Sequence, residues 1–282
     1  MKKFLYLFSV ILLFASCAGQ QNELNVISFN LRLSPHDDFD GENSWLYRKD
    51  AAGELLNTVS PDMFGIQEAE FRQIEDLKER LPQYTWVGFG LDEATAGCQV
   101  SSLFYKTERF NLLDSGIFWL SETPDSLSRG WDAAMMRLVT WVKLADLQAD
   151  NKEVYYFNTH FDHIGKVARA ESAKLICSKV EEIAGNDACV LITGDFNTRY
   201  STDALAPLRE KFSGARETSP ITDTLNTFND WGKNAVAEPG GKRIIDHIYY
   251  QNVEPIEYKT IVENYGANYV SDHYPIMFRA KY

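Results

Sequence analysis

Short apolar runs of strand length alternate with longer amphipathic segments along most of the chain. One apolar run, at residues 190–193, ends at Gly194 and is followed by Asp195 and Asn197 with one residue between them. Because side chains alternate between the two faces of an extended chain, both polar side chains are predicted to point the same way from a strand end. Such a pair can bind a metal or a phosphate, although an Asx turn that closes a buried strand explains it equally well.

The same hydrophobic pattern predicts strands and helices throughout the chain. Strands are predicted at residues 24–29, 63–67, 84–89, 100–105, 110–120, 136–145, 153–158, 190–193, 244–250 and 276–280. Helices are predicted from a cap at Asn43 or Ser44 to Pro61, from Phe71 to Pro82, and at residues 166–184, 203–210 and 221–228. No linker or change in composition divides the chain, which indicates a single α/β domain over residues 18–282.

Two polar connections carry candidate functional residues. Residues 35–43 contain four acidic side chains, which favour a solvated loop over a metal site. Residues 121–131 form a long polar connection that ends at Trp131, and loops of this length often lie at the rim of a functional site. Trp131 is therefore a candidate for substrate binding, with burial in the core as the alternative.

The first residues have the pattern of an export signal. Two lysines give a basic start, residues 4–14 are an apolar run too short to span a bilayer, and small residues lead to Cys17. Residues 1–17 resemble a bacterial lipoprotein signal, with cleavage before Cys17 and a lipid on its sulfur. We therefore expect an exported protein, periplasmic or anchored in the outer membrane, whose only membrane contact is that lipid. A plain secretory signal or a buried N-terminal helix is the alternative.

Charge and cysteine content exclude several classes of protein. The net charge is −12, and it becomes −14 when the signal is removed with its two lysines. A protein that follows a nucleic-acid backbone gathers basic residues into a patch, and no basic run here exceeds two residues, so no stable nucleic-acid partner is expected. The remaining cysteines, Cys98, Cys177 and Cys189, lack zinc-site spacing and leave at least one thiol unpaired, so disulfides do not organise the fold.

Polar side chains stand where the predicted strands end. They are Asn30, Glu68, His160, Asp195 and Asn197, and Asp246, Asp272 and His273 flank two further strands. In layered α/β folds, strand ends at one edge of a sheet converge on a single crevice, so these side chains are expected to form one site. Acids, amides and histidines without thiolates suit Mg²⁺ or Mn²⁺, and phosphoester hydrolysis needs such a metal together with a base and hydrogen-bond donors.

The motifs that contain these residues resemble those of the endonuclease/exonuclease/phosphatase family. In order, they are Ser28-Phe29-Asn30, Ile66-Gln67-Glu68, Asn158-Thr159-His160-Phe161-Asp162, Gly194-Asp195-Phe196-Asn197, Ile245-Asp246-His247-Ile248 and Ser271-Asp272-His273-Tyr274-Pro275. Each motif alone is weak, but their order and spacing are specific, and the match extends from about Leu24 to the C-terminus. The resemblance implies a four-layer α/β sandwich, as in deoxyribonuclease I, in which two mixed β-sheets pack face to face between helices.

The resemblance also implies roles for the site residues. Glu68 is the principal ligand of Mg²⁺ or Mn²⁺, with Asn30 and Asp272 beside it. Asp195 and Asn197 position the nucleophilic water and the phosphate.

Two histidines complete the set that the resemblance implies. His273, held by Asp246, acts on the water as a base or binds the phosphoryl oxygen. Many members place a glutamate after a glycine ahead of the strand at residues 100–105, where it holds the histidine equivalent to His160. This chain has Gly97-Cys98 there, so the partner of His160 and its role as general acid stay open. Arg137 is a candidate phosphate ligand, with a surface ion pair as an equal alternative.

The expected substrate is a small or glycan-linked phosphate ester that the protein meets outside the cytoplasm. An acidic chain without a basic stripe suits long nucleic acid poorly, whereas a compact ester can be bound by the metal, His160 and His273. Trp131, with Trp119 and Trp45 as further candidates, would supply an apolar or sugar-stacking rim. The alternatives are a nuclease acting on DNA or RNA, a glycan-binding lipoprotein without catalysis, and a glycosidase, which would use two carboxylates and no metal.

Overall fold

The computed structural model describes residues 23–88, 100–234 and 243–282. The strands are β1 (Glu23–Asn30), β2 (Met63–Ala69), β3 (Tyr84–Val87), β4 (Val100–Lys106), β5 (Phe110–Trp119), β6 (Leu138–Asp146), β7 (Lys152–His160), β8 (Cys189–Asp195), β9 (Ser213–Gly214), β10 (Asp246–Gln251), β11 (Glu254–Thr260) and β12 (Ile276–Lys281). The helices are α1 (Trp45–Val59), α2 (Phe71–Arg80), α3 (Lys166–Ala184), α4 (Ala206–Lys211) and α5 (Ala215–Thr218). The predicted signal at residues 1–17 and the Gly97-Cys98 pair lie outside the described residues.

The strands form two six-stranded sheets. The first sheet has the order β11-β12-β1-β2-β4-β3, and the second has the order β5-β6-β7-β8-β10-β9. In the first sheet β1 and β2 are parallel, and in the second β7 and β8 are parallel, while the other neighbouring pairs are antiparallel. A parallel pair needs a crossover connection, and α1 and α3 supply these two crossovers. Both sheets are therefore mixed, as predicted.

The two sheets pack face to face, and helices cover their outer faces. Val26 and Leu191 lie in the core between the sheets, and both are fully buried. Leu56 and Ile74 pack α1 and α2 on the first sheet, and Ile176 packs α3 on the second. Full burial of one such side chain stabilises the fold by about 1.5–3 kcal/mol. The resulting order of helix, sheet, sheet and helix confirms the predicted four-layer α/β sandwich.

Helix α3 shows how local sequence sets the limits of an element. Its bounds, Lys166–Ala184, are those predicted, and its buried side chains Ala173, Ile176 and Val180 follow helical spacing. The helix ends because Gly185 adopts a φ of 76°, which L side chains disfavour. No helix within the described ranges is long and apolar enough to cross a bilayer.

The helix predicted at residues 221–228 is absent. Asp223 instead accepts hydrogen bonds from the backbone N–H (2.6 Å) and the hydroxyl (2.9 Å) of Thr260. Ile221 pairs with Glu257 in an isolated bridge, so this segment lies extended along β11. The long-range contacts therefore override the local helical pattern. The helix that the structure places in this part of the chain is α5, a few residues before the predicted one.

Strand β11 was not predicted from the sequence. It begins with Glu254 and Pro255, and only Tyr258 and Thr260 of its side chains are buried. Apolar alternation is weak in such an edge strand, because one side of the strand and most of its side chains meet solvent.

The described thiols are structural. Cys177 and Cys189 are free, and the first is half-buried while the second is buried. Burial raises the pKa of the Cys177 thiol to about 11 and that of Cys189 to about 12. Both thiols are therefore neutral at physiological pH, where a reactive cysteine requires the thiolate.

A buried polar contact through Asn158 joins the two sheets near the edge that carries the predicted site residues. The Asn158 Nδ2 donates to the carbonyl oxygens of Ile66 (2.8 Å) and Ser102 (3.0 Å) in the first sheet. Its Oδ1 accepts from Gln67 Nε2 (2.7 Å) and from Thr193 Oγ1 (3.0 Å). One side chain therefore ties β7 and β8 to β2 and β4.

We predict that Asn158→Ala destabilises the fold by about 3 kcal/mol, because buried polar groups in both sheets lose a partner. Urea unfolding measures the change. Asn111→Ala, at an exposed position of β5, is the matched control and should change stability by no more than about 0.5 kcal/mol. Equal unfolding midpoints for the two variants would show that Asn158 does not hold the sheets together.

Candidate active site

A cavity of about 760 Å³ opens at the edge where the polar strand ends of both sheets meet. The predicted site residues that line it are Glu68, Arg137, His160, Asp195, Asn197, Asp272 and His273. Asn30 and Asp246 lie behind this lining, where they hydrogen-bond to Asp195 and His273 respectively. The expected convergence of strand ends on one crevice is therefore present.

Strand register explains why these side chains meet. In the second sheet, Asp195 at the end of β8 pairs with His160 at the end of β7 and with Asp246 at the start of β10. The three residues stand in one row across the sheet. In the first sheet, the parallel register of β1 and β2 sets Asn30 beside Glu68 at the same edge.

Glu68 leaves the regular ladder at the end of β2. Its φ is 59°, in the left-handed region, and the pairing of β2 with β4 shifts register between Ile66 and Ala69. A non-glycine residue in this region stores roughly 1–3 kcal/mol of strain, which surrounding contacts must offset. The Glu68 carboxylate accepts from Asn30 Nδ2 (3.2 Å) and from the backbone N–H of Leu33 (3.1 Å), and these bonds aim it into the cavity.

Asp195 is the central carboxylate of the site and is only 1% exposed. Its Oδ2 accepts from Asn30 Nδ2 (3.1 Å), and its Oδ1 accepts from the backbone N–H of Asn197 (2.8 Å). Burial, together with the nearby Asp246 carboxylate, raises the pKa of Asp195 to about 7. A cation beside Asp195 would favour its charged form.

The His273 imidazole is held by Asp246. Its Nδ1 lies 2.9 Å from Asp246 Oδ2, and its Nε2 lies 3.8 Å from Asp195 Oδ2. Burial favours the neutral ring, but the two carboxylates outweigh burial and raise the pKa of His273 well above its usual value. The Phe228 ring packs against the imidazole, with 4.9 Å between ring centroids. The structure therefore contains the His273–Asp246 pair that the family resemblance implies.

His160 has both cationic and carboxylate neighbours, and its Nε2 lies 3.4 Å from Asp195 Oδ2 and 3.8 Å from Glu68 Oε1. Its Nδ1 lies 2.8 Å from Arg137 Nη1, and its Nε2 lies 2.9 Å from Asn197 Nδ2. Burial, and then repulsion from Arg137, lowers the pKa of His160 well below its usual value. Arg137 is itself buried, which excludes the surface ion pair considered above.

The aromatic lining of the cavity differs from the prediction. Trp131 is half-buried but does not line the cavity, and its backbone N–H donates to Glu122 Oε2 (3.1 Å). Trp45 and Trp119 are buried in the fold. The tryptophan that lines the cavity is Trp231. The turn sequence Asn-Asp-Trp-Gly around Trp231 is the signal that could have distinguished it from the others.

Within the described ranges, four basic side chains line the cavity, namely Arg32, Arg137, Lys233 and Arg243. Only Arg137 was predicted. Arg32 binds Asp40 of the acidic loop through two bonds, from Nε (3.0 Å) and Nη2 (3.1 Å). Five of the described acidic side chains line the same cavity, namely Asp40, Glu68, Asp195, Asp230 and Asp272, so a cation held by carboxylates would leave the basic side chains to attract an anionic ligand.

The donor set fits a hard divalent cation. Two groups bring possible ligand atoms within 4.8 Å of one another: Glu68 with His160 and Asp195, and Asp195 with Asp246 and His273. Asn30 contacts Glu68 and Asp195, whereas Asp272 belongs to neither group, with its Oδ2 3.8 Å from Arg32 Nε. Burial raises the pKa of Asp272 as well as that of Asp195. Oxygen ligands without a thiolate suit Mg²⁺ or Mn²⁺, which would favour the charged carboxylates.

The fold and the site together define a deoxyribonuclease I-like hydrolase with the side chains for a metal site. Residues 27–273 match the Endonuclease/Exonuclease/phosphatase family, and the chain belongs to this family. The resemblance drawn from the motifs is therefore confirmed. The members of this superfamily are phosphoesterases and nucleases, which makes this protein a hydrolase of that kind.

Solved structures and a viral sequence show similarity along nearly the whole chain. A mannosyl-6-phosphatase of Bacteroides thetaiotaomicron is 32% identical with a TM-score of 0.85, and the match covers 92% of this chain and 100% of that one. An endonuclease/exonuclease/phosphatase of Bacteroides vulgatus is 32% identical with a TM-score of 0.84, covering 92% and 98%. An uncharacterized protein of Acanthamoeba polyphaga mimivirus is 25% identical over 271 residues, covering 90% and 98%.

The His273–Asp246 pair should act as a unit. Asp246→Asn removes the charge that keeps His273 protonated, so we expect it to impair turnover of a phosphate ester nearly as much as His273→Ala. The double variant should be little slower than either single variant. Steady-state kinetics of the three variants test this, and simple addition of the two losses would show that the residues act independently.

Divalent-cation affinity should depend on pH through Asp195. Its pKa is raised, so the carboxylate is increasingly protonated as the pH falls below about 7, and a bound cation must then displace the proton. We expect Mg²⁺ affinity to fall by up to about tenfold per pH unit below pH 7 and to level off above it. Isothermal titration calorimetry from pH 5.5 to 8.5 measures this. Asp195→Asn should bind Mg²⁺ more weakly with little of this pH dependence, and an unchanged pH dependence in that variant would contradict the assignment.

Proposed function

We propose that this protein is a Mg²⁺- or Mn²⁺-dependent phosphoesterase that hydrolyses a small or glycan-linked phosphate ester outside the cytoplasm. The observation that carries the proposal is a single cavity whose described lining combines four basic side chains with carboxylates, among them the buried Asp195 and Asp272. The carboxylates suit a cation, and the basic side chains oppose the negative charge of a phosphate. A compact ester needs only this cavity, whereas long nucleic acid needs an extended basic surface.

Side chains at the polar edge of the two sheets would bind the cation. Glu68 is the principal ligand in this proposal, with Asn30 and Asp272 beside it and Asp195 within reach of Glu68. A bound Mg²⁺ or Mn²⁺ supplies neutralisation of charge on the phosphate and on the leaving oxygen. Asp195 accepts a hydrogen bond from the attacking water, and Asn197 orients the water or the phosphate.

The two histidines take different parts because their pKa values are shifted in opposite directions. The raised pKa of His273 favours the charged ring, whose Nε2–H donates to a phosphoryl oxygen, and Asp246 holds the ring in that orientation. The neutral His160 lies beside the buried Arg137, whose positive charge stabilises negative charge that develops on the phosphate. This assignment favours phosphoryl binding by His273 over its action as a base.

Two observations support the class of ester and the place where it is met. The mannosyl-6-phosphatase of Bacteroides thetaiotaomicron is 32% identical over 92% of this chain, and the substrate of a mannosyl-6-phosphatase is a sugar phosphate. The pattern of residues 1–17 supports export and attachment to the membrane by a lipid on Cys17. A phosphatase of exported glycans or sugars agrees with both observations.

Loss of an ionised ligand should abolish most of the activity. We expect Glu68→Gln and Asp195→Asn each to lower kcat/KM by roughly 10²-fold or more, because the cation and the water lose their positions. Glu108→Gln, at an exposed acid between β4 and β5, is the matched control and should retain full activity. Wild-type rates in both site variants would show that the catalytic centre lies elsewhere.

Removal of the metal and a substrate panel test the reaction class. Activity should vanish with EDTA and return with Mg²⁺ or Mn²⁺.

The panel contains mannose 6-phosphate, phosphorylated oligosaccharides, inositol phosphates, sphingomyelin, RNA and plasmid DNA, assayed at equal Mg²⁺. We expect the sugar phosphates to be the best substrates. Efficient cleavage of DNA or RNA with the sugar phosphates untouched would establish the nuclease alternative instead.

A further inference from the structure

The turn at residues 229–234 presents an aromatic side chain to the cavity in an uncommon backbone conformation. Asp230, Trp231 and Gly232 have φ values of 48°, 54° and 82°, which places three consecutive residues in the left-handed region. Glycine adopts this region freely, but a bulky aromatic residue rarely does. Such a conformation persists only where surrounding contacts impose it, and these positions cluster at ligand-binding sites.

The turn is fastened to the segment that carries Asp272. The backbone N–H groups of Asn229 and Asp230 both donate to the carbonyl oxygen of Asp272, at 2.8 and 3.1 Å. The Asn229 side chain is fully buried, and its Nδ2 donates to the carbonyl oxygen of Ser271 (3.0 Å). The position of the turn relative to the catalytic carboxylates is therefore fixed by hydrogen bonds.

The indole ring of Trp231 is supported from one side. The guanidinium of Arg48 lies 5.4 Å from the Trp231 ring centroid and 5.3 Å from that of Trp45. Arg48 is buried and donates to the carbonyl oxygens of Leu31 (2.5 Å) and Val270 (3.1 Å), so it is a rigid support. The ring is half-buried and lines the cavity, which leaves aromatic surface available to a ligand.

We propose that Trp231 is a specificity-determining residue that stacks against the pyranose ring of a hexose phosphate while the phosphate lies among Arg32, Arg137 and Arg243. The inference rests on the proposed phosphoesterase function. The flat indole matches the C–H face of a sugar ring. Lys233 Nζ and Asp230 Oδ1, 3.2 Å apart at the same rim, offer a donor and an acceptor to sugar hydroxyl groups.

Binding of the ring can be measured apart from hydrolysis. In the slow Asp195→Asn variant with Mg²⁺, isothermal titration calorimetry compares mannose 6-phosphate with inorganic phosphate. We expect mannose 6-phosphate to bind at least about tenfold more tightly, and Trp231→Ala to remove this preference while inorganic phosphate still binds. Trp231→Phe keeps an aromatic face and should retain most of the preference. Trp131→Ala, at the tryptophan outside the cavity, is the matched control and should keep it fully.

Steady-state kinetics supply the second readout. With the otherwise native protein, Trp231→Ala should lower kcat/KM for mannose 6-phosphate about tenfold or more and leave ethyl phosphate, which has no ring, within about threefold. The ratio of the two values does not depend on the folded fraction, so partial unfolding of the variant does not imitate the effect.

The outcomes separate this inference from the proposed reaction. The role of Trp231 would be overturned if Trp231→Ala lowered kcat/KM equally for both esters or kept the binding preference for mannose 6-phosphate. It would also be overturned if only Trp131→Ala lost that preference, or if mannose 6-phosphate bound no more tightly than inorganic phosphate. Tighter binding of adenosine 5′-monophosphate than of mannose 6-phosphate would overturn the sugar assignment. If the binding preference depended on Trp231 but no phosphate ester were hydrolysed, the result would support sugar stacking by Trp231 and contradict the proposed reaction.

Discussion

The spacing between the two sheets at their polar edge is the constraint on which the site depends. Asn30 and Glu68 come from the first sheet and Asp195 comes from the second, yet Asn30 Nδ2 lies only 3.1 Å from Asp195 Oδ2. Asn158 sets this spacing through its bonds to both sheets. Gly65 allows the close approach, because a Cβ there would lie 2.4 Å from Asn158 Oδ1. The geometry of the cation ligands is therefore a property of sheet packing.

The surroundings shift the pKa values of two histidines of one cavity in opposite directions. Burial favours the neutral form of His273, but Asp246 and Asp195 outweigh burial and raise its pKa, whereas burial and then Arg137 lower the pKa of His160. His273 and Arg137, which both line the cavity, therefore bring positive charge to it. The arrangement offers two fixed sources of positive charge to a phosphate without placing two charged imidazoles close together, which like-charge repulsion would disfavour.

The sequence predicts those parts of the site that depend on strand ends and on the order of motifs. The row formed by His160, Asp195 and Asp246 could be expected, because each residue closes or opens a recognisable strand. Trp231 was missed in favour of Trp131, since its place at the cavity depends on hydrogen bonds to a segment about forty residues later in the chain. Three further predictions failed for the same reason. The sequence did not predict the contact between Arg137 and His160 or strand β11, and it predicted a helix at residues 221–228 that is absent. Local pattern carries no information about such long-range partners.

The fastening of the 229–234 turn has a consequence for how this protein can change over evolutionary time. The turn is held by main-chain groups and by Asn229, so the side chains at positions 230, 231 and 233 are not needed to attach it. Those three positions line or adjoin the cavity, whereas the row of His160, Asp195 and Asp246 lies on strands of the second sheet. The residues that set ligand preference and the residues that carry out catalysis therefore lie in separate segments of the chain. Substitutions in the turn can change the preferred ligand during evolution while the catalytic residues stay the same.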